Sequence, residues 1–83
     1  MINYVYILEC KDGSLYTGWT TDLNKRLETH NKGLGAKYTR GRIPVKLVYY
    51  ESFNNKGDAL KREIKIKKLT RNKKLELISK KEK

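Results

Sequence analysis

A chain of 83 residues is expected to form one small domain with no linker. Twenty Lys and Arg against nine Asp and Glu give a net charge of +11, which favours a polyanionic partner. The single cysteine excludes an internal disulfide and, with only one His beside it, a zinc site within the chain; no apolar run approaches the roughly 20 residues that span a bilayer.

Asn3 to Cys10 is rich in aromatic and β-branched residues and reads as a strand. Tyr4, Val5, Tyr6, Ile7 and Leu8 run consecutively, so both faces of that strand are expected to be covered, with Cys10 a small buried residue. Asp12-Gly13 is a two-residue turn signal, and Ser14 to Gly18 completes a β-hairpin. Asp22 is a good N-cap for a helix over Leu23 to Asn31, with Leu23 and Leu27 on one face, and Lys32-Gly33-Leu34-Gly35 ends it. Ala36 to Arg42 reads as an irregular basic stretch that Pro44 helps to close. Val45 to Glu51 is a third strand, with Val45, Leu47 and Tyr49 alternating against Lys46, Val48 and Tyr50. After the loop Asn54-Asn55-Lys56-Gly57, in which Asn55 with Asp58 resembles helix-start chemistry, a helix is expected from Asp58 to Leu69. Leu60, Ile64 and the stem of Lys67 would form its packed face. Thr70 can cap a last helix carrying Leu75 and Ile78.

The order β-β-α-β-α-α implies an α+β fold, a small three-stranded and mostly antiparallel sheet flanked by helices. The domain is expected over residues 1–79, with a basic tail over 80–83. Charge is uneven along it: residues 61–83 carry eleven basic and three acidic side chains, a net of +8, against +3 for residues 1–60. Such a pole attracts polyanions, although a solvated lysine-rich helix has the same composition. Met1 leads directly into a strand pattern without a basic leader, and a reducing cytoplasm is the expected compartment.

No Gly-rich phosphate loop, Cys pair or Ser-His-Asp arrangement is present. The polar residues that invite attention are few. Arg26 and His30 stand four apart on the first helix and share a face. Glu63 is a lone carboxylate in a helix crowded with lysines, and Tyr6 and Tyr16 lie on the two arms of the hairpin. Taken singly, each has an ordinary explanation: core tyrosines with satisfied hydroxyls, a solvated helix face, a weak i,i+4 ion pair. Their joint arrangement is more informative.

Tyr4-Val5-Tyr6, followed by Tyr16-Thr17-Gly18, resembles the pair of short motifs that name the GIY-YIG nuclease superfamily, to which the amino-terminal domain of UvrC and intron-encoded homing endonucleases belong. Tyr6 and Tyr16 would be the named tyrosines, Arg26 the arginine of the first helix, His30 the residue one turn later and Glu63 the metal-binding glutamate after the third strand. The resemblance covers nearly the whole chain and looks closest to small stand-alone bacterial members of the YhbQ type, partly through residues 12–18 and 35–41. Tyr4 stands where the first motif has glycine and Thr17 where the second has isoleucine, and Asn72 is not a match for the asparagine that many members carry downstream of the glutamate.

What the resemblance implies is a metal-dependent DNA endonuclease, structure-selective or of low sequence specificity, of the kind used in DNA repair or recombination. Glu63 would hold Mg²⁺ or Mn²⁺, Arg26 would steady the transition state, Tyr6 would be the base with Tyr16 orienting water or phosphate, and His30 would relay the proton or replace Tyr6. DNA would lie over the basic helices and the 37–42 loop, with Lys37, Arg40 and Arg42 on phosphates and Tyr38 either stacking on a base or pinning the loop. Trp19 is expected to pack. The competing reading is a non-catalytic basic nucleic-acid-binding module that retains the fold; a ribosome-associated basic protein is favoured only by the lysine-rich tail. RNA remains open as a substrate, no membrane is implied, and neither substrate structure nor oligomeric state is indicated.

Overall fold

Five consecutive apolar residues suit a strand that is covered on both faces, and β1 (Asn3–Glu9) is the middle strand of a sheet ordered β2-β1-β3. The computed structural model describes residues 1–81. Both neighbours, β2 (Leu15–Thr20) and β3 (Lys46–Phe53), run antiparallel to β1. Helix α1 (Leu23–Asn31) follows the hairpin, a single turn α2 (Lys37–Arg40) precedes β3, and α3 (Lys56–Lys67) and α4 (Arg71–Lys81) close the chain. The fold is thus the expected α+β arrangement of a three-stranded antiparallel sheet with flanking helices. α2 is the addition: the stretch expected to be irregular forms a helical turn in which Thr39 N–H donates to the Ala36 carbonyl at 3.0 Å. The expected tail at 80–83 overlaps α4 as far as Lys81, and residues 82–83 lie outside the described part.

β1 divides the core in two. Val5 and Ile7 pack with Tyr49, Ala59 and Ile66 beneath α3 and α4, and Trp19 and Ile78 join them. Tyr6, Leu8 and Cys10 face the other way, against Val45, Leu23 and Leu27 on the α1 side. Each layer is small, so single contacts matter.

In β3 the simple alternation fails. Ile7 pairs with Tyr49 but Leu8 pairs with Leu47, so Val48 is an extra residue in a β-bulge. Val45 and Leu47 therefore join the α1-side cluster while Val48 and Tyr49 join the other. One inserted residue moved Tyr49 to the opposite face from the one the period-2 pattern assigns.

α3 also differs from expectation. It begins at Lys56, two residues before the expected Asp58, on the expected Asn55–Asp58 cap: the Asn55 side chain accepts the Asp58 N–H at 2.8 Å and donates to the Asp58 carboxylate at 2.9 Å. The buried face is Ala59 and Ile66, both at 0% exposure, whereas Ile64 is 54% exposed and Lys67 points outward. Ala59 lets the helix approach the sheet closely, and Arg62 clamps it with a two-pronged pair to Glu51 of β3 at 2.9 and 3.0 Å. Tyr49 donates its hydroxyl to the same carboxylate; burial, then that hydrogen bond, push its phenol up to about 12. In α4, Thr70 Oγ1 accepts the Lys73 N–H at 3.3 Å, Leu77 and Ile78 pack inward, and Leu75 is 38% exposed.

α1 is tied down at both ends. Asp22 accepts the Lys25 N–H at 3.0 Å. At the other end, Asn31 acts as a surrogate strand: its amide donates to the Val45 carbonyl at 3.0 Å and its oxygen accepts the Val45 N–H at 2.7 Å. Asn31→Ala leaves both main-chain groups of buried Val45 unpaired. It is expected to lower stability by about 1–3 kcal/mol, read as a reduced urea midpoint at constant m-value.

Candidate active site

The hairpin register sets the site. Tyr6 lies directly across from Gly18, and Leu8 from Tyr16, so Tyr6, Tyr16 and Gly18 share the α1-facing surface. The Tyr6 ring extends over Gly18: a Cβ there would lie 2.5 Å from the Tyr6 hydroxyl and 3.2 Å from the Tyr16 ring. The glycine is needed for the space it leaves. The two tyrosine rings come to 6.5 Å between centroids. Thr17, where the family motif has isoleucine, faces the other layer, and its buried hydroxyl has no partner among the described residues. Tyr4 packs edge-on against Tyr50 at 5.9 Å.

His30 completes this cluster from α1. It is 1% exposed, and its Nε2 lies 3.1 Å from Tyr6 Oη while Nδ1 lies 2.8 Å from Thr39 Oγ1. The proton positions follow by elimination. Thr39 has one hydroxyl proton and donates it to the Ala36 carbonyl at 2.9 Å, so it accepts from His30 Nδ1–H. A neutral imidazole then has a bare Nε2, which accepts the Tyr6 hydroxyl proton. Thr39 is a site residue that the sequence alone did not single out. Gly35 belongs with it, because a Cβ there would sit 2.2 Å from His30 Nδ1. Burial, then Arg26, hold the His30 pKa below its ordinary 6.5.

The electrostatics of Tyr6 report which charges face it. Burial and then Tyr16 push its phenol well above the ordinary value of 10; Arg26 acts in the opposite direction and Glu63 adds to the rise. Arg26, on the exposed side of α1, and Glu63, from the inward face of α3, thus both lie within electrostatic reach of the Tyr6 hydroxyl. Arg26 has no ion pair among the described residues. A cavity of about 350 Å³ beside it is lined by Thr20, Thr21, Asp22, Lys25 and Thr29. Glu63 keeps only 13% of its side chain exposed and pairs with the outward Lys67 at 3.4 Å. Of the five residues expected to act together, Tyr6, Tyr16 and His30 are in contact, while Arg26 and Glu63 act on Tyr6 through their charge.

The 37–42 segment divides. Lys37 and Arg40 are exposed and carry no ion pair among the described residues. Arg42 is occupied: it pairs with Asp12 at 3.1 Å, donates to the Tyr38 carbonyl at 2.7 Å and lies over the Tyr38 ring at 4.2 Å. Tyr38 in turn stacks on Tyr16 at 5.9 Å. These contacts favour the loop-pinning role for Tyr38 and make Arg42 a latch between this segment and the hairpin turn.

As for a metal, Glu63 is a single half-buried carboxylate, and no group of three His, Cys, Asp or Glu side chains able to hold an ion occurs among the described residues. One carboxylate suits a hard cation that keeps waters and binds the substrate phosphate, and does not suit a closed zinc or calcium cage. Mg²⁺ or Mn²⁺ fits this donor set.

A family model described as the GIY-YIG catalytic domain matches residues 2–76. The chain is 70% identical over 80 residues to a UPF0213 protein of Clostridium perfringens, covering 96% of this chain and 86% of the relative. It is 60% identical to a UPF0213 protein of Staphylococcus saprophyticus over 93% of this chain and 94% of that one. Among solved structures, it matches the solution structure of a UPF0213 protein of Bacillus halodurans with a TM-score of 0.62 at 54% identity, over 95% of this chain and 84% of that one. A protein of E. faecalis matches with a TM-score of 0.65 at 43% identity, over 96% and 85%.

The hydrogen-bond chain gives a sign for pH dependence. His30 binds its proton more weakly folded than unfolded, so its contribution to stability is whole above 6.5 and is lost as pH falls from there through the folded value. Imidazole ¹⁵N spectra are expected to show the Nδ1–H tautomer at neutral pH, with a midpoint below 6.5.

Proposed function

The chain belongs to the GIY-YIG catalytic domain family, and from that premise we propose that it is a divalent-metal-dependent endonuclease that hydrolyses phosphodiester bonds in DNA with little sequence preference. The observation that carries this reading is the buried Tyr6–His30 hydrogen bond, oriented so that Nε2 can take the phenolic proton, with the charges of Arg26 and Glu63 near enough to act on that phenol.

A phenol whose pKa is raised by burial is a poor standing phenolate. The relay removes the need for one. A water against Tyr6 Oη gives its proton to that oxygen while the phenolic proton passes to His30 Nε2, and the nascent hydroxide attacks phosphorus. Thr39 keeps Nδ1–H engaged throughout and so holds the ring in the accepting tautomer. Tyr16, its ring tilted against that of Tyr6, orients the water or a phosphate oxygen. The Arg26 guanidinium offers planar donors to the non-bridging oxygens as charge builds on them. The bond from phosphorus to the 3′ oxygen breaks and that oxygen takes a proton from water, leaving 5′-phosphate and 3′-hydroxyl ends. A divalent cation held at Glu63, Mg²⁺ or Mn²⁺, would polarise the phosphate and stabilise the leaving oxygen. Lys37 and Arg40 would hold the flanking backbone.

The test is cleavage of labelled single-stranded, duplex, flap and branched DNAs with Mg²⁺ or Mn²⁺. Cutting that needs metal and disappears in Glu63→Ala is the expected result, with Tyr6→Phe slowed by about 10²–10⁴. Binding without cutting by the parent chain under every metal condition would transfer the reading to a non-catalytic nucleic-acid module.

Thr39 is a positioning residue with a separate signature. Thr39→Val is expected to shift the His30 tautomer toward Nε2–H and slow cleavage about tenfold, roughly 1.4 kcal/mol in the barrier. Thr39→Ser should restore both; a Val variant with unchanged tautomer and rate would remove Thr39 from the relay.

A further inference from the structure

Where the first turn of α4 passes the hairpin, a cavity of about 210 Å³ opens between Ser14, Leu15, Tyr38, Arg71 and Lys74. Tyr38 stacks on Tyr16, so the cavity lies one ring away from the paired tyrosines of the active site. Its charged lining is wholly cationic. Arg71 uses one guanidinium N–H on the Gly13 carbonyl at 2.7 Å, which fixes the group while leaving further donors available. Lys74 is half-buried and has no acidic partner among the described residues. Burial first, and then Lys67, hold its ammonium below the ordinary value. Lys67 itself pairs with Glu63. Cations therefore continue from the active-site carboxylate, through Lys67, to Lys74 and Arg71.

A half-buried ammonium repelled by a second lysine is unfavourable until an anion enters. The anion best placed to do so is one already tethered to the neighbouring site. We infer that this cavity is a second phosphate site, which takes an internal phosphodiester of the bound nucleic-acid strand while another phosphate lies at Arg26 and Glu63. The inference rests on the nuclease reading, because it is the scissile strand that delivers the second phosphate. It makes α4 part of the substrate track and assigns its first turn to holding the strand on the Tyr38 side of the reaction centre.

The experiment is fluorescence-anisotropy binding of a 3′-labelled single-stranded DNA oligonucleotide to the full chain, without divalent metal, over a salt series. Arg71→Gln/Lys74→Gln is expected to weaken binding about tenfold at ~0.1 M salt and to lower the slope of log K against log salt by about 1.4, the value for two lost phosphate contacts on a single strand. Lys61→Gln/Lys80→Gln removes the same charge from exposed positions outside the cavity and should change the slope by less than half as much. Because Arg71 also holds the hairpin turn, Lys74→Gln alone, which breaks no hydrogen bond, is measured beside the pair and should give about half its slope change. Equal losses from the two double variants would overturn the site in favour of diffuse charge. A loss seen only with a 5′-phosphorylated oligonucleotide would overturn the internal phosphodiester in favour of a terminal phosphate. Unaltered binding by the Arg71/Lys74 variant, with cleavage still abolished by Glu63→Ala, would overturn the cavity and leave the nuclease standing. Absence of any binding by the parent chain would overturn the cavity as a phosphate site, and the metal-dependent cleavage test decides the nuclease reading separately.

Discussion

A phenol and an imidazole buried side by side are tolerable only if every one of their protons has a destination. In this chain the sequence of donors runs from Tyr6 Oη to His30 Nε2, and from His30 Nδ1 through Thr39 Oγ1 to the Ala36 carbonyl. Much of the local structure serves that chain. Gly18 clears room for the Tyr6 ring and Gly35 for the imidazole, since a methyl group at either would collide with it. α2 exists as a turn long enough to turn the Thr39 hydroxyl inward, and Asn31 holds the end of α1 against β3, one residue from His30. A hydrogen-bonded buried network rigidifies its surroundings, and its failure leaves several groups unsatisfied at once.

The rotation of α3 is the second decision on which the site depends. A helix with Ala59 and Ile66 against the sheet necessarily carries position 63 inward too, because the three share one face. An inward carboxylate costs solvation, and its only ion pair among the described residues is with an exposed lysine. The Arg62 fork on Glu51 opposes any rotation that would return Glu63 to water. The core and the clamp on β3 thus hold in place a charge that packing alone would reject.

The distribution of acids explains where the positive field lies. Asp12 and Glu51 are engaged by Arg42 and Arg62, and Glu9 by Lys46, all in pairs that hold elements together. Arg42 is therefore structural in effect, whereas Lys37, Arg40, Arg71 and Lys74 carry charge that no acid among the described residues offsets. The net charge alone does not separate these two kinds of cation; their partners do.

Local chemistry made much of the fold readable. The apolar run 4–8 marked a central strand, Asp12-Gly13 the hairpin with Gly13 at φ +84°, and Asp22 and Asn55 the helix starts. Each signal depends on neighbours a few residues away. The family motifs, which are residue identities in order, pointed to five residues, of which the structure brings Tyr6, Tyr16 and His30 into contact. The rest depended on contacts between distant segments. The stripe of Leu60 and Ile64 and that of Ala59 and Ile66 fit a helical period equally well, and only the surface of β1 chose the smaller residue. The bulge at Val48 is a property of the pairing with β1, so no reading of β3 by itself contains it. The role of Thr39 is not legible in its segment, because its partner is a ring on another element. Sequence by itself determined which elements form and which reactive residues are present; tertiary structure decided which way they face, since orientation is set by the partner surface and not by the segment that carries the residue.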